Sequence, residues 1–282
     1  MEGASGLAPK SARMNRLRIA TWNVNGIRAR QQQFLDWVNE ERPDVVCLQE
    51  IKASPEQVPA ALCEMGDMAA YWCYWHGGGK GYSGVGLHVA REAVPERPAF
   101  EHPDFDYEYR IATVRLHRNI VVASVYVPNG GKDFPAKMRF LEALEAWVGA
   151  SLAAGDQLVV CGDLNVAHRE IDLHPKERKP TVIGQLPEER ALFDRILGLG
   201  MVDVARALHP EDDGMFSWWA PWRNMRQRNI GWRIDYVLAS AALAEQAVSC
   251  GVQAAVGTSD HAPVAVEFAL KPAPVEADPI AR

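Results

Sequence analysis

WRIDYVLAS (232–240) and TSDHAPVAVEF (258–268) are the stretches from which the rest of this chain can be read. The apolar run VAVEFAL after Pro263 predicts a buried strand. Asp260 and His261 then stand at its mouth, where ligands and reactive groups of α/β sheets gather. The first stretch sets Asp235 at the end of another strand. A carboxylate beside a histidine, with a second carboxylate to orient the ring, is what hydrolysis or metal chemistry requires. Alone, such a pair serves equally well as a solvated strand cap.

Three further stretches change that balance. ATWNVNGIRAR (20–30) ends a strand in Asn23 and Asn25 before a turn at Gly26; DVVCLQEIK (44–52) runs apolar up to Glu50; QLVVCGDLNVAH (157–168) ends in Asp163 and Asn165. Near-continuous Val, Ile, Leu and Cys is the pattern of strands covered on both faces, and each run stops at an acid or an amide. Gathered at one sheet edge, these oxygens suit a hard cation such as Mg²⁺, which binds through one or two carboxylates plus substrate phosphate.

In chain order, WNVNGIRAR (22–30), LQEIK (48–52), VYVPNG (125–130), GDLNVAH (162–168), GWRIDY (231–236) and SDHAP (259–263) resemble the motif series of the exonuclease III family of apurinic/apyrimidinic endonucleases, over about residues 17–269. The resemblance implies a deoxyribonuclease-I-like fold: a four-layered α/β sandwich of two packed mixed β-sheets flanked by helices. It also implies metal-dependent hydrolysis of the phosphodiester 5′ to abasic sites in double-stranded DNA, with 3′-to-5′ exonuclease and 3′-end-cleaning activity. Glu50, Asp260 and Asn25 would hold Mg²⁺, with Asp163 and Asn165 close enough to join them and Mn²⁺ able to substitute. His261, oriented by Asp235, would contact the scissile phosphate or share in proton transfer, and Asp163, steadied by Asn165, would activate water. Tyr126, Asn129 and Asn23 would bind non-bridging oxygens. Asn25 stands where some members carry aspartate, which leaves the metal site one negative charge short.

Composition sets the outer bounds. The chain has 282 residues, 48% hydrophobic and 23% charged, the profile of a soluble globular protein. No linker divides it, so a single domain is expected over 16–270, between tails at 1–15 and 271–282. No apolar run is long enough to span a membrane and the N-terminus lacks the apolar core of a signal peptide, which predicts a cytoplasmic protein; nothing in the sequence suggests more than a monomer. Five cysteines without a CxxC spacing read as reduced core thiols.

A net charge of −6 argues mildly against nucleic acid as a partner, but the charge is unevenly spread. WRNMRQRNIGWR (222–233) carries Arg223, Arg226, Arg228 and Arg233 with no acid, and KERK (176–179) adds a second basic patch. The first run abuts Asp235, so phosphate contacts through Arg226 and Arg228 are expected. Trp218, Trp222 and Trp232, interleaved with these cations, suit a surface that stacks on an exposed base or sugar.

Helices are predicted at 31–41, 54–65, 134–155 and 187–200, a strand at 84–90, and a hairpin turning at His117–Asn119. GGGKG (77–81) lacks the spacing of a phosphate-binding loop. His168 and His174 read as surface or supporting residues without a metal role. Two other classes fit part of the pattern. Phosphatases of inositol phosphates or lipids share the same scaffold and acids, while GWRIDY and the Trp/Arg loop favour DNA. A non-catalytic DNA-binding relative would not need every acid and the histidine.

Overall fold

The computed structural model describes residues 15–271, so the expected tails lie almost wholly outside the described residues. Twelve strands form two sheets: β1 (Arg16–Asn23), β2 (Val45–Gln49), β3 (Tyr71–His76), β4 (Val85–Ala90), β5 (Phe100–Glu101), β6 (Ile111–Arg115), β7 (Ile120–Tyr126), β8 (Gln157–Asp163), β9 (Met201–Asp203), β10 (Asp235–Ser240), β11 (Ala247–Val252) and β12 (Val264–Ala269). The orders are β11-β12-β1-β2-β4-β3 and β5-β6-β7-β8-β10-β9. Both sheets are mixed: β1 runs parallel to β2 and β7 parallel to β8, and the remaining pairs are antiparallel.

Alternation along the strands builds the layers. Ile19, Cys47 and Leu87 of one sheet meet Val122, Cys161 and Val237 of the other in the central core. The opposite faces are covered by helices. α1 (Gln31–Glu41) lays Phe34, Trp37 and Val38 on Ala20, Trp22 and Val46. α2 (Phe134–Ala153) and α3 (Pro187–Gly198) lay Phe140, Leu144, Phe193 and Ile196 on Val121, Ala123, Leu158 and Val160. This is the four-layered sandwich. Local chemistry sets the helix ends: α1 stops at Arg42 in a left-handed conformation (φ 45°) just before Pro43. α2 starts where Asp133 accepts the Ala136 N–H at 2.9 Å.

The segment 54–65 departs from expectation. It makes two single 3₁₀ turns, Pro55–Gln57 and Ala60–Leu62. Val58, extended at φ −70° and ψ 131°, separates them because the ring of Pro59 disfavours a helical residue before it. YWCYWH is the edge strand β3, alternately buried and half-buried. All five cysteines are free thiols. Among the described residues no helix is long and apolar enough to cross a membrane.

Register then delivers the acids to one edge. Tyr126 and Asp163 are partners at the ends of the parallel pair β7 and β8, and Asp163 faces Asp235 across the antiparallel pair β8 and β10. In the other sheet Asn23 pairs with Gln49, one residue before Glu50, and Thr21 pairs with Val264, three residues after His261.

Candidate active site

The two sheet edges meet at a cleft of about 480 Å³ whose wall includes Glu50 after β2, Tyr126 and Asn129 after β7, and Asp163 and Asn165 after β8. Asp260, His261, Trp218 and Trp232 close it from the side of β10 and β12. Gly162 lets β8 approach β7 this closely: at φ 143°, a Cβ there would come within 1.9 Å of the Val125 carbonyl oxygen. Asn25, Glu50 and Asn165 all sit in the left-handed region, at φ 44°, 50° and 52°. Asparagine tolerates this. For Glu50 it costs about 1–2 kcal/mol, which neighbouring structure must offset.

At the base of the cleft, His261 Nδ1 lies 2.9 Å from Asp235 Oδ2 and its Nε2 lies 3.8 Å from Asp163 Oδ2. Ser217 Oγ donates to Asp235 Oδ2 at 2.6 Å and accepts the N–H groups of Ile234 and Asp235, so the orienting carboxylate is itself fixed. The ring stands between two carboxylates. Burial by itself would lower its pKa, but Asp235 and Asp163 outweigh burial and lift it to about 10. His261 is therefore an imidazolium at neutral pH. Burial raises Asp163 to about 7 even though His261 pulls the other way, with Asp235 and Glu50 adding like-charge repulsion.

Beside them, Asn165 steadies Asp163 through its backbone N–H to Oδ1 at 2.9 Å, and its own amide donates to the Val127 carbonyl at 2.9 Å. Burial also opposes ionisation of Glu50, yet Asn23 and Lys52 keep its pKa below the ordinary value. Lys52 Nζ reaches Glu50 Oε2 at 2.8 Å and Asn25 Oδ1 at 2.6 Å. Asn25 Nδ2 continues to Asp260 Oδ1 at 2.8 Å, and the indole N–H of Trp218 meets Asp260 Oδ2 at 3.0 Å. One chain of contacts thus joins the acids of both sheets to an aromatic wall. Tyr126 lines the cleft with a hydroxyl whose pKa is well above the ordinary range because it is buried near Glu50 and Asp163.

Two expectations are corrected. Asn23 is fully buried and does not line the cleft. Its Nδ2 donates to Glu50 Oε1 at 3.0 Å and Asp163 Oδ2 at 2.9 Å, so both N–H groups separate like charges and none is left for substrate. Arg226 faces inward: its guanidinium donates to the carbonyls of Ala254, Val256 and Ser259, bracing the loop before Asp260. Arg233 is likewise buried against Asp172 and Asp203. Of the arginine run only Arg223 and Arg228 are exposed, and neither lines the cleft. Left-handed residues at Arg223, Asn224 and Asn229 fold the segment back on itself, which linear spacing does not disclose.

The tryptophans divide. Trp218 and Trp232 meet edge to face at 5.6 Å and 81° in the cleft wall, while Trp222 is 60% exposed outside it and Trp219 is buried. His168 takes the supporting place of its two readings: it is buried, stacked on Phe193, with Nε2 2.7 Å from Asp194. Sequence reasoning passed over Ser217, Lys52 and Lys137. The fully buried ammonium of Lys137 pairs with Glu189 and donates to the carbonyls of Asn165 at 2.7 Å and Asn129 at 3.4 Å. Lys52 lay inside the LQEIK motif; nothing in the helical pattern around Lys137 marks it out.

Carboxylates, an amide oxygen and an imidazolium around one open cleft define a phosphoester hydrolase that works with a metal. Carboxylate oxygens of Glu50 and Asp163 lie within 4.8 Å of each other, an oxygen donor set that fits a hard cation. Residues 20–261 match the model of the Endonuclease/Exonuclease/phosphatase family. An exodeoxyribonuclease of Bacillus subtilis is 37% identical over 253 residues, 88% of this chain and 98% of that protein. An AP endonuclease structure from Archaeoglobus fulgidus superposes with a TM-score of 0.78 at 30% identity, covering 89% of this chain and 99% of its own. A 3′-5′ exonuclease from Neisseria meningitidis gives 0.80 at 32% identity, with the same coverage. The chain belongs to this family, and within it to the metal-dependent DNA repair nucleases.

Proposed function

We propose that the protein, acting as a monomer, cuts the phosphodiester 5′ to abasic sites in double-stranded DNA and trims 3′ ends, with Mg²⁺ as its cation and Mn²⁺ able to replace it. One observation carries the reading: the acids of both sheets and His261 share a single cleft with the Trp218–Trp232 pair. That wall offers aromatic faces to a sugar that has lost its base.

Glu50 and Asp260, with the amide oxygen of Asn25, would hold the cation, whose chemistry is to neutralise charge on the phosphate and on the leaving oxygen. Asp163, poised near neutrality at about 7, takes the proton from the attacking water. His261, held as imidazolium by Asp235, faces the phosphate oxygens. The neutral Tyr126 hydroxyl and the Asn129 amide donate to the same oxygens as charge develops on them.

A duplex bearing one tetrahydrofuran residue, incubated with Mg²⁺, is expected to be incised on the 5′ side of that residue. An inositol phosphate is expected to release no phosphate under the same conditions. The reverse result overturns this reading and favours the phosphatase class.

Asn25→Asp tests the cation site separately. Asn25 Nδ2 now supplies the proton between itself and Asp260 Oδ1 at 2.8 Å. A carboxylate there meets a second one with only the Lys52 ammonium and the cation to relieve the repulsion. The Mg²⁺ concentration for half activity is expected to fall about fivefold, the size of a 1 kcal/mol charge interaction screened as in bulk water. An unchanged or higher requirement in a metal titration removes Asn25 from the site.

A further inference from the structure

We infer that His76, His102 and Asp106 form a second metal site, selective for zinc or another late first-row divalent ion and sharing no residue with the cleft. Their ligand atoms lie within 4.8 Å of one another. The three come from the outer edges of both sheets: His76 ends the edge strand β3, His102 follows the edge strand β5, and Asp106 lies in the loop leading to β6. Two imidazoles with one carboxylate suit zinc, whereas Mg²⁺ prefers oxygen throughout.

The surroundings are arranged for ligation. Asp106 Oδ1 accepts the N–H groups of Arg110 at 2.7 Å and Ile111 at 3.1 Å, which fixes the carboxylate and turns Oδ2 toward His76 Nε2 at 2.7 Å. Hydrogen-bonded ligating carboxylates are what a well-held site requires. The ring of His102 stacks on His76 at 4.6 Å and 14°, and Tyr109 closes one side edge-on at 5.2 Å. In a tetrahedral site at about 2.1 Å per ligand the donors stand about 3.4 Å apart. Reaching that geometry takes a turn of the exposed His102 side chain out of its stack, an opening of the 2.7 Å contact between His76 Nε2 and Asp106 Oδ2, and shifts of up to about 1.4 Å.

Such a site has a structural purpose. It ties the open edge of one sheet to the open edge of the other, beside the loop that carries Arg110. Arg110 in turn lies 4.9 Å from the ring centroid of Tyr126 and donates to its carbonyl at 3.5 Å, so the clamp supports the rim of the cleft. Nothing in the nuclease reaction uses these three side chains.

The test uses the full chain, stripped of metal and then supplied with excess Mg²⁺. Zn²⁺ is added while uptake is followed by calorimetry and thermal unfolding. One equivalent is expected to bind, raising Tm by about 5 °C at a hundredfold excess over Kd. His102→Ala removes only an exposed imidazole, so folding is not at stake. It is expected to abolish the uptake and the Tm shift while leaving Mg²⁺-supported incision of an abasic duplex unchanged. No Tm shift in the parent overturns the proposal. So does Zn²⁺ uptake that survives His102→Ala and disappears in Glu50→Gln, because the ion would then be in the cleft.

Discussion

Asp163→Asn is expected to lower the rate of abasic-site incision about 10³-fold, the range for loss of a positioned general base, and at the same time to make the metal-free protein more stable at alkaline pH. The second effect follows from burial. Asp163 is 1% exposed and its folded pKa is raised from 3.8 to about 7, so the folded state holds the proton more tightly than the unfolded chain does. Stability from this group is complete below about pH 4 and is lost as pH climbs toward 7. His261, raised from 6.5 to about 10, acts in the same direction over a later window, complete below 6.5 and lost as pH passes 10.

In the protein without cation these two groups therefore contribute less and less as pH rises from about 4 to 10. Asparagine carries no charge to bury. Asp163→Asn should be the more stable of the two above pH 7, by the cost of burying the carboxylate less the attraction to His261 that is lost with it, and the gap should close below about pH 4. Thermal unfolding of both proteins in chelator at pH 4 and pH 8, beside single-turnover cleavage at saturating enzyme, measures both halves. A variant that is inactive but no more stable at pH 8 would show that the carboxylate is already well satisfied when ionised, and Asp163 would then lose its claim to a proton-accepting role.

This opposition between stability and activity explains which parts of the site were legible. Strand ends were, because the apolar runs of strands covered on both faces break off at an acid there; Glu50, Asp163 and Asp235 therefore announce themselves. Asn23 did not, because a buried amide that keeps two carboxylates apart has the same spelling as one that binds phosphate. The arginines misled for a related reason. Arg226 and Arg233 sit in a basic run, yet their partners are carbonyls at 254–259 and the acids Asp172 and Asp203. Pairing over such separations is a property of topology, not of local charge. The 54–65 segment failed as a helix on Pro59 alone, a signal that was present and under-weighted. Lys137, whose partner Glu189 lies on another helix, could be found only once α2 and α3 were seen to pack together.

The largest expected loss of stability lies in that misread arginine network. Asp172 is fully buried; its Oδ1 accepts from Arg233 Nε and Arg206 at 2.8 Å each, and its Oδ2 accepts the Arg169 N–H at 2.9 Å. Arg233 also grips Asp203 through two bonds of 3.0 and 2.7 Å. Burial pushes the Asp172 pKa up, but Arg233 and Arg206 outweigh it and hold it below the ordinary value. Asp172→Ala leaves the buried Arg206 guanidinium with the carbonyls of His209, Pro210 and Asp212 and no counter-charge, and Arg233 with Asp203 alone; stranding a buried charge costs about 3–5 kcal/mol. Tm should fall by on the order of 10 °C, and because Arg233 sits between Trp232 and Asp235, the loss should also loosen the cleft wall. The sign with pH is opposite to that of Asp163. The network's contribution is present above the unfolded carboxylate range and is lost as pH falls through the depressed folded pKa, so the parent's acid unfolding should be steep where the variant's is shallow. Urea unfolding at pH 7 and at a pH well below 4 decides it. A loss under 1 kcal/mol at pH 7 would mean that water reaches Arg206 and Arg233 once the carboxylate is gone, and the network would then be no anchor for Asp235.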